Sequence, residues 1–272
     1  MHDAETRDRS PADLSPWWTQ QRADDCVVAT AIHDGHGLRA EVAEAVALPD
    51  GERLREEDPY TGDAVRGVPN HIVVHRSRFE VDLNRALDAA VYLTPEQCWG
   101  LQLWTTAPPA PLVERSRALH RSFYAHMAAW LDAIVASHGR FVLLDVHSYN
   151  HRRNGADAAP TPPDQAPEIN IGTASMPRAK WAHVVDPVME AMRGFDVAGR
   201  QLDVRENVAF QGRGELTRFV HARYPGTGCA IAIEFKKFYM DEWSGAPDPG
   251  AVAAMRGLIA HAADVARGCV RG

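Results

Sequence analysis

FVLLDVH, residues Phe141 to His147, is a nearly continuous apolar run that ends in the polar stretch Ser148-Tyr149-Asn150. A run of this kind marks a strand covered on both faces, which requires a sheet with helices on each side. The residues before it agree. Pro111 opens a helix whose apolar positions Leu112, Leu119, Phe123, Met127, Trp130, Leu131 and Ile134 recur at helical spacing, and Gly139 stops it.

Other segments repeat the pattern of an apolar strand with a polar end. DCVVATAIH (Asp25 to His33) reads as a strand that runs into the turn Asp34-Gly35-His36-Gly37, and HIVVHRSRFEV (His71 to Val81) as a second that leads into Asp82-Leu83-Asn84-Arg85. Val204 to Phe210 and CAIAIEF (Cys229 to Phe235) supply two more. Helices are expected from about Arg178 to Met192 and from the Asp248-Pro249 cap to about Arg267. Strands alternating with helices predict an α/β sandwich with a mainly parallel sheet, in which ligand groups gather where strands end. His151 to Pro177, rich in Pro, Asn, Gly and Asp, reads as a long functional loop or lid. Residues 1–20 read as a polar tail and 21–272 as one metallohydrolase domain, without repeats.

The 272 residues, 45% hydrophobic, suffice for one sizeable core. A net charge of -7 gives no attraction for nucleic acid or an anionic membrane, which leaves small molecules or short peptides as partners. Met1 to Gln20 lacks the apolar core of a secretory signal, and no run approaches the roughly 18 apolar residues of a membrane span, so a cytoplasmic protein is expected. Cys26, Cys98, Cys229 and Cys269 lie far apart and form no C-x-x-C pair, which argues against a thiolate zinc site. Oligomeric state leaves no mark in the sequence.

Thirteen histidines are the more informative count. A hydrolytic zinc site needs three protein ligands, an open position for water and a carboxylate that takes a proton. His33 and His36 share one strand-end turn, and His147 ends another strand that an adjacent parallel pairing would bring alongside. Glu57 or Asp58 offers a carboxylate ligand in place of His36, or a group that orients an imidazole. A strand-end histidine is more often structural, and the run Glu56-Glu57-Asp58 reads equally well as a solvated face. The joint placement favours a metal site. Glu234 is conspicuous inside AIAIEFKKF (Ala230 to Phe238). A buried glutamate is costly unless it is paired, metal-bound or held for proton transfer, so it reads as the general base, with an ion pair to Lys236 or Lys237 as the bland alternative. Arg78, Asn84 and Arg85, with Asp82 to brace a guanidinium, suit the grip of a substrate carboxylate. The chain contains no G-x-S-x-G, no G-x-x-x-x-G-K-[ST], no G-x-G-x-x-G and no H-E-x-x-H, so serine-hydrolase, nucleotide, dehydrogenase and zincin readings lose support.

His33-Asp34-Gly35, Glu57-Asp58, the stretch Ser77 to Arg85, Asp145-Val146-His147-Ser148, Asn207 with Phe210-Gln211-Gly212, and Ile233-Glu234-Phe235 resemble, in that order, the N-formylglutamate amidohydrolase family. The resemblance spans about residues 25 to 245. Parts of it are also similar to the zinc carboxypeptidases. It implies a phosphorylase/hydrolase-like, zinc-carboxypeptidase-like three-layer α/β/α sandwich with a mixed, mainly parallel sheet, a catalytic zinc (one Zn2+ per chain), and hydrolysis of N-formyl-L-glutamate to formate and glutamate. It implies further that His33 and His147 are zinc ligands, that Arg78, Asn84 and Arg85 bind the substrate carboxylate, and that Glu234 is the catalytic carboxylate. Where the carboxypeptidases carry a Glu ligand this chain has His36, so either three histidines hold the zinc or Asp58 completes the set. Imidazole donors rank zinc above manganese and cobalt. The alternatives are a carboxypeptidase or peptide-amide hydrolase with the same metal, and a non-catalytic metal-binding module.

Overall fold

In the computed structural model, which describes residues 16–197 and 199–271, seven strands form one mixed sheet. They are β1 (Trp18–Gln21), β2 (Val27–Ala31), β3 (Asn70–Val74), β4 (Phe141–Tyr149), β5 (Ile169–Gly172), β6 (Val204–Glu206) and β7 (Gly228–Lys236), in the order β1-β3-β2-β4-β7-β5-β6. The interior pairs β3/β2, β2/β4 and β4/β7 are parallel, as the apolar runs predict. β1/β3 and β5/β7 are antiparallel and β5/β6 is parallel. The helices are α1 (Ala40–Ala45), α2 (Asp50–Glu56), α3 (Thr61–Val65), α4 (Ala110–His138), α5 (Ala182–Gly194), α6 (Glu215–Arg223) and α7 (Pro249–Arg271). No helix among the described residues is long and apolar enough to cross a membrane.

The sheet buries both faces, and side-chain alternation sorts β4 between them. Val142, Leu144 and Val146 pack in one core with Val185, Val188 and Met192 of α5 and Leu258 and Ile259 of α7. Phe141 and Leu143 face the other core, made with Phe123, Met127, Leu131 and Ile134 of α4 and Leu216 and Val220 of α6. This is the expected three-layer α/β/α arrangement. Burying each such side chain contributes about 1.5–3 kcal/mol, which sets β4 firmly in the centre. The same period of two puts Asp145 and His147 on the α4/α6 side, beyond Leu143. β7 behaves alike: Ile231, Ile233 and Phe235 join the α5/α7 core, which leaves Glu234 on the α4/α6 side.

Several expected boundaries move. β3 stops at Val74 instead of continuing to Val81, because the turn after β2 crosses its end: Gly37 N–H donates to the His75 carbonyl at 3.0 Å and Ser77 N–H to the Gly37 carbonyl at 2.8 Å. A Cβ on Gly35 would lie 2.2 Å from the His75 carbonyl carbon, so only glycine lets the turn lie that close. β6 ends at Glu206 and not at Phe210; the next residue, Asn207, takes a left-handed φ of 55° and fixes Thr173 through its side chain. The expected loop from His151 to Pro177 contains β5, whose four buried residues carry no periodicity strong enough to stand out. Trp18 to Gln20, expected in a polar tail, lie in the edge strand β1, which is half exposed along its length.

Candidate active site

His33 leaves β2 two residues after its last hydrogen-bonded position, His147 lies within β4, and Asp58 comes from the connection between α2 and α3. The Asp58 N–H donates to the His33 carbonyl at 2.9 Å, which ties that connection to the strand end. All three side chains are buried, at 1%, 2% and 3% exposure for His33, Asp58 and His147. Asp58 Oδ2 lies 3.4 Å from His33 Nδ1 and 3.1 Å from His147 Nδ1, and the three donor atoms fall within 4.8 Å of one another. Tetrahedral zinc with bonds of about 2.0–2.1 Å holds adjacent donors about 3.3 Å apart, so the spacing suits such an ion. His33 Nδ1 is buried without a hydrogen-bond partner, which a metal would explain.

Each imidazole is backed by a carboxylate on its far nitrogen. His33 Nε2 lies 2.8 Å from Asp82 Oδ1. His147 Nε2 lies 3.1 Å from Asp145 Oδ2, while the other Asp145 oxygen accepts the Thr30 hydroxyl at 2.7 Å. The Asp82 hydrogen bond fixes the His33 ring and leaves its Nδ1 free to bind a metal, whereas His147 Nε2 and Asp145 Oδ2 are close neighbours that form no hydrogen bond. Burial alone would lower the affinity of His147 for a proton; the carboxylates of Asp145 and Asp58 outweigh it and raise the pKa well above the usual imidazole range. Burial likewise opposes ionisation of Asp58, yet the hydrogen bond from His147 and the adjacent His33 imidazole hold its pKa below the usual carboxylate range. The pocket is therefore built for positive charge.

His36 does not join this group. Its side chain is 37% exposed, with Nδ1 2.5 Å from Glu57 Oε2 and Nε2 3.1 Å from the Arg53 guanidinium. Glu57 is committed to that contact and to the Ser77 hydroxyl, so neighbouring residues Glu57 and Asp58 face different partners.

The cluster opens into a cavity of about 200 Å3 that is also lined by Glu234, Arg78, Asn84, Trp99, Arg153, Phe210 and Lys237. Glu234, on β7, has no ion pair or hydrogen bond through its carboxylate among the described residues. Burial pushes its pKa up to about 7, against the pull of His147. Neither lysine pairs with it: Lys236 donates to the Ala166 carbonyl and Lys237 to those of Arg55 and Glu57. Arg78 donates to Tyr92 Oη, the Glu56 carbonyl and Asp82 Oδ2, and stacks 4.8 Å over Trp99. Asn84 is pinned by its N–H to Asp82 and by packing against Gly214, where a Cβ would come within 2.1 Å of Asn84 Oδ1. Arg85 stands outside the cavity lining, over the Tyr92 ring and with Nη2 on the Gln97 carbonyl. Sequence reasoning does not reach the roles of Asp145 and Lys237. Asp145 carries a usable signal, two residues before His147 on the same strand face; Lys237 carries none.

The sequence model of the family described as N-formylglutamate amidohydrolase matches residues 25–240. No match is found among curated proteins. The crystal structure of N-formylglutamate amidohydrolase from Ralstonia eutropha superposes at a TM-score of 0.72 and 16% identity, over 94% of this chain and 98% of that one. A gene product from Agrobacterium tumefaciens superposes at 0.58 and 16% identity, over 92% and 95% of the two chains. At such identities these likenesses show a shared fold alone. The family match runs from the start of β2 past the end of β7 and takes in the whole His33-Asp58-His147 cluster, so the chain belongs to the N-formylglutamate amidohydrolase family.

Proposed function

We propose that the protein hydrolyses the amide bond of an N-acyl amino acid such as N-formyl-L-glutamate, with zinc held by His33, Asp58 and His147. The observation that carries this reading is the convergence of two carboxylate-backed imidazoles on Asp58 Oδ2 in a cavity that also holds a buried, unpaired glutamate. Zinc bound there would polarise the scissile carbonyl and lower the pKa of water toward about 7. Glu234 takes the proton from the attacking water and delivers it to the leaving amine nitrogen; burial, which outweighs the pull of His147, gives it the proton affinity for both steps. Arg78 and Asn84 bind the substrate carboxylate and orient the amide, and Arg85 braces Asp82 from behind at 3.6 Å. A cavity of about 200 Å3 is smaller than the roughly 300–1,000 Å3 of drug-sized sites, which favours a small N-acyl amino acid over a peptide.

The test is the zinc content of purified protein and of His147→Ala, followed by formate release from N-formylglutamate. About one zinc per chain, lost in the variant, is expected of a three-ligand catalytic site. Protein purified without chelator that holds no metal and gains no activity on adding zinc removes the mechanism.

A further inference from the structure

Two of the proposed zinc ligands stand on or just after strands of the sheet, but Asp58 sits on the connection between α2 and α3. Main-chain carbonyls of the last turn of α2 and of that connection are taken up by side chains from just past β4 and β7. Lys237, 2% exposed and one residue beyond β7, places Nζ 2.5 Å from the Arg55 carbonyl and 2.7 Å from the Glu57 carbonyl. Asn150, just past β4, donates Nδ2 to the same Arg55 carbonyl at 2.8 Å, and the Tyr239 hydroxyl donates to the Pro59 carbonyl at 3.0 Å. The carbonyls at the end of α2 have no intrahelical partner and carry the negative end of the helix dipole, so a cation suits them. An ammonium buried this deeply is costly unless it is satisfied. Lys237 is satisfied by carbonyls just before Asp58 in the chain, and not by Glu234, three residues earlier.

We propose that Lys237 is a positioning residue for the metal site: by clamping the carbonyls of Arg55 and Glu57 it holds the Asp58 carboxylate against His33 and His147. This rests on the zinc reading above. The clamp links two functions, because β7 carries Glu234 and leads directly into Lys237; the strand that presents the base also fixes the ligand that no strand presents. Asp58 keeps its own tether to the His33 carbonyl, so loss of the clamp weakens metal binding without abolishing it.

The experiment titrates metal-free protein with zinc against a chromogenic chelator for the wild type, Lys237→Met and Lys237→Arg, each with Asp58 intact and with Asp58→Asn. Lys237→Met is expected to bind zinc about 10- to 100-fold more weakly, as loss of a ligand's outer support does, and Lys237→Arg to recover most of the difference. In the Asp58→Asn background the same change should cost less than about threefold, because the group it positions is gone. Equal losses in both backgrounds would mark a general structural role and overturn the proposal, as would unchanged affinity in Lys237→Met. Should Lys237→Met fail to fold, Lys237→Gln keeps a polar donor too short to reach both carbonyls and is expected to weaken zinc binding by about 2- to 10-fold with Asp58 present; no loss there overturns the proposal. A wild type that binds no zinc rejects the zinc reading as well, whereas a zinc-binding wild type with an indifferent Lys237 rejects this inference alone.

Discussion

Glu234 and His147 stand directly opposite one another on adjacent parallel strands, in the register that runs from Phe141 against Gly228 to Tyr149 against Lys236. Paired residues on neighbouring strands lie about 4.8 Å apart and point to the same face. The separation of the proposed base from the proposed ligand is thus set by the sheet ladder itself and by the cores under it. Thr30 opposite Asp145 on the other side of β4 extends the arrangement, so the carboxylate behind His147 is also fixed by sheet register.

Glu234→Gln keeps the shape of the side chain and removes its basicity. It is expected to retain zinc and to lose about 10^2- to 10^4-fold in kcat, the usual range for a general base. Formate release and metal content, measured on the same preparation, check it; a fully active variant would show that the proton goes elsewhere.

Asp82 is the carboxylate behind His33, and it also receives Arg78, the Tyr92 hydroxyl and the Asn84 N–H. Asp82→Asn offers an amide where a carboxylate fixed the ring, so zinc affinity should fall about 10- to 100-fold. Chelator competition measures this. An unchanged affinity would mean that packing alone orients the imidazole.

Much of the architecture and part of the site are legible in the sequence for one reason: the central strands are apolar until near their ends, and the polar residue that closes an apolar run is carried to the C-terminal side of the sheet by the fold itself. His33, His147 and Glu234 stand out on that rule. Asp58 does not, because Glu56-Glu57-Asp58 has the composition of a solvated helix end, and only the ties of the segment after α2 to His33 and Lys237, just past β2 and β7, turn Asp58 toward the histidines and Glu57 toward His36. His36 departs from the expected ligand set for the complementary reason: a turn-mate of His33 need not share its direction, and Gly35, pressed against the end of β3, separates the two. β1 and β5 leave little trace in the sequence because four-residue strands carry too few positions for a period to show.

His36 therefore gives a clean contrast with Asp58. Its imidazole lies against Glu57 and Arg53, away from the cluster. His36→Ala should leave zinc stoichiometry intact, while Asp58→Ala should lose tightly bound metal. Metal analysis after dialysis decides between them, and loss of zinc in His36→Ala would move it into the ligand set.

Arg78 and Arg85 both lie near Asp82, yet only Arg78 lines the cavity. Lysine cannot reproduce a forked guanidinium that spans Tyr92, the Glu56 carbonyl and Asp82. Arg78→Lys is expected to lower kcat/KM by about tenfold or more, chiefly through KM, and Arg85→Lys by much less, since each charged hydrogen bond contributes about 1.5–3 kcal/mol. Steady-state kinetics on N-formylglutamate test both; equal losses would place Arg85 on the substrate.

His221 gives a pH dependence far from the metal cluster. It is 8% exposed on α6, Nε2 accepts the Ala230 N–H of β7 at 3.0 Å, and Nδ1 lies 3.1 Å from Ser175 Oγ, so the neutral ring fits and the charged ring does not. Burial pushes its pKa down to about 4 from the ordinary 6.5. The unfolded chain therefore takes up a proton at about pH 6.5 that the folded chain resists until about pH 4. Stability from this group is complete above about pH 6.5 and is lost as the pH falls toward 4, by about 2 to 3 kcal/mol in all. His221→Gln keeps an acceptor for the Ala230 N–H and removes the titration. Urea unfolding of the metal-free protein at pH 7.5 and pH 5 should show the wild type losing about 2 kcal/mol more than the variant, a difference in which the other titrating groups cancel. Equal acid losses in the two proteins would mean that the ring charges in place, with Nε2 turned from the Ala230 N–H to solvent, and that the hydrogen bond to β7 is not what holds α6 against the sheet.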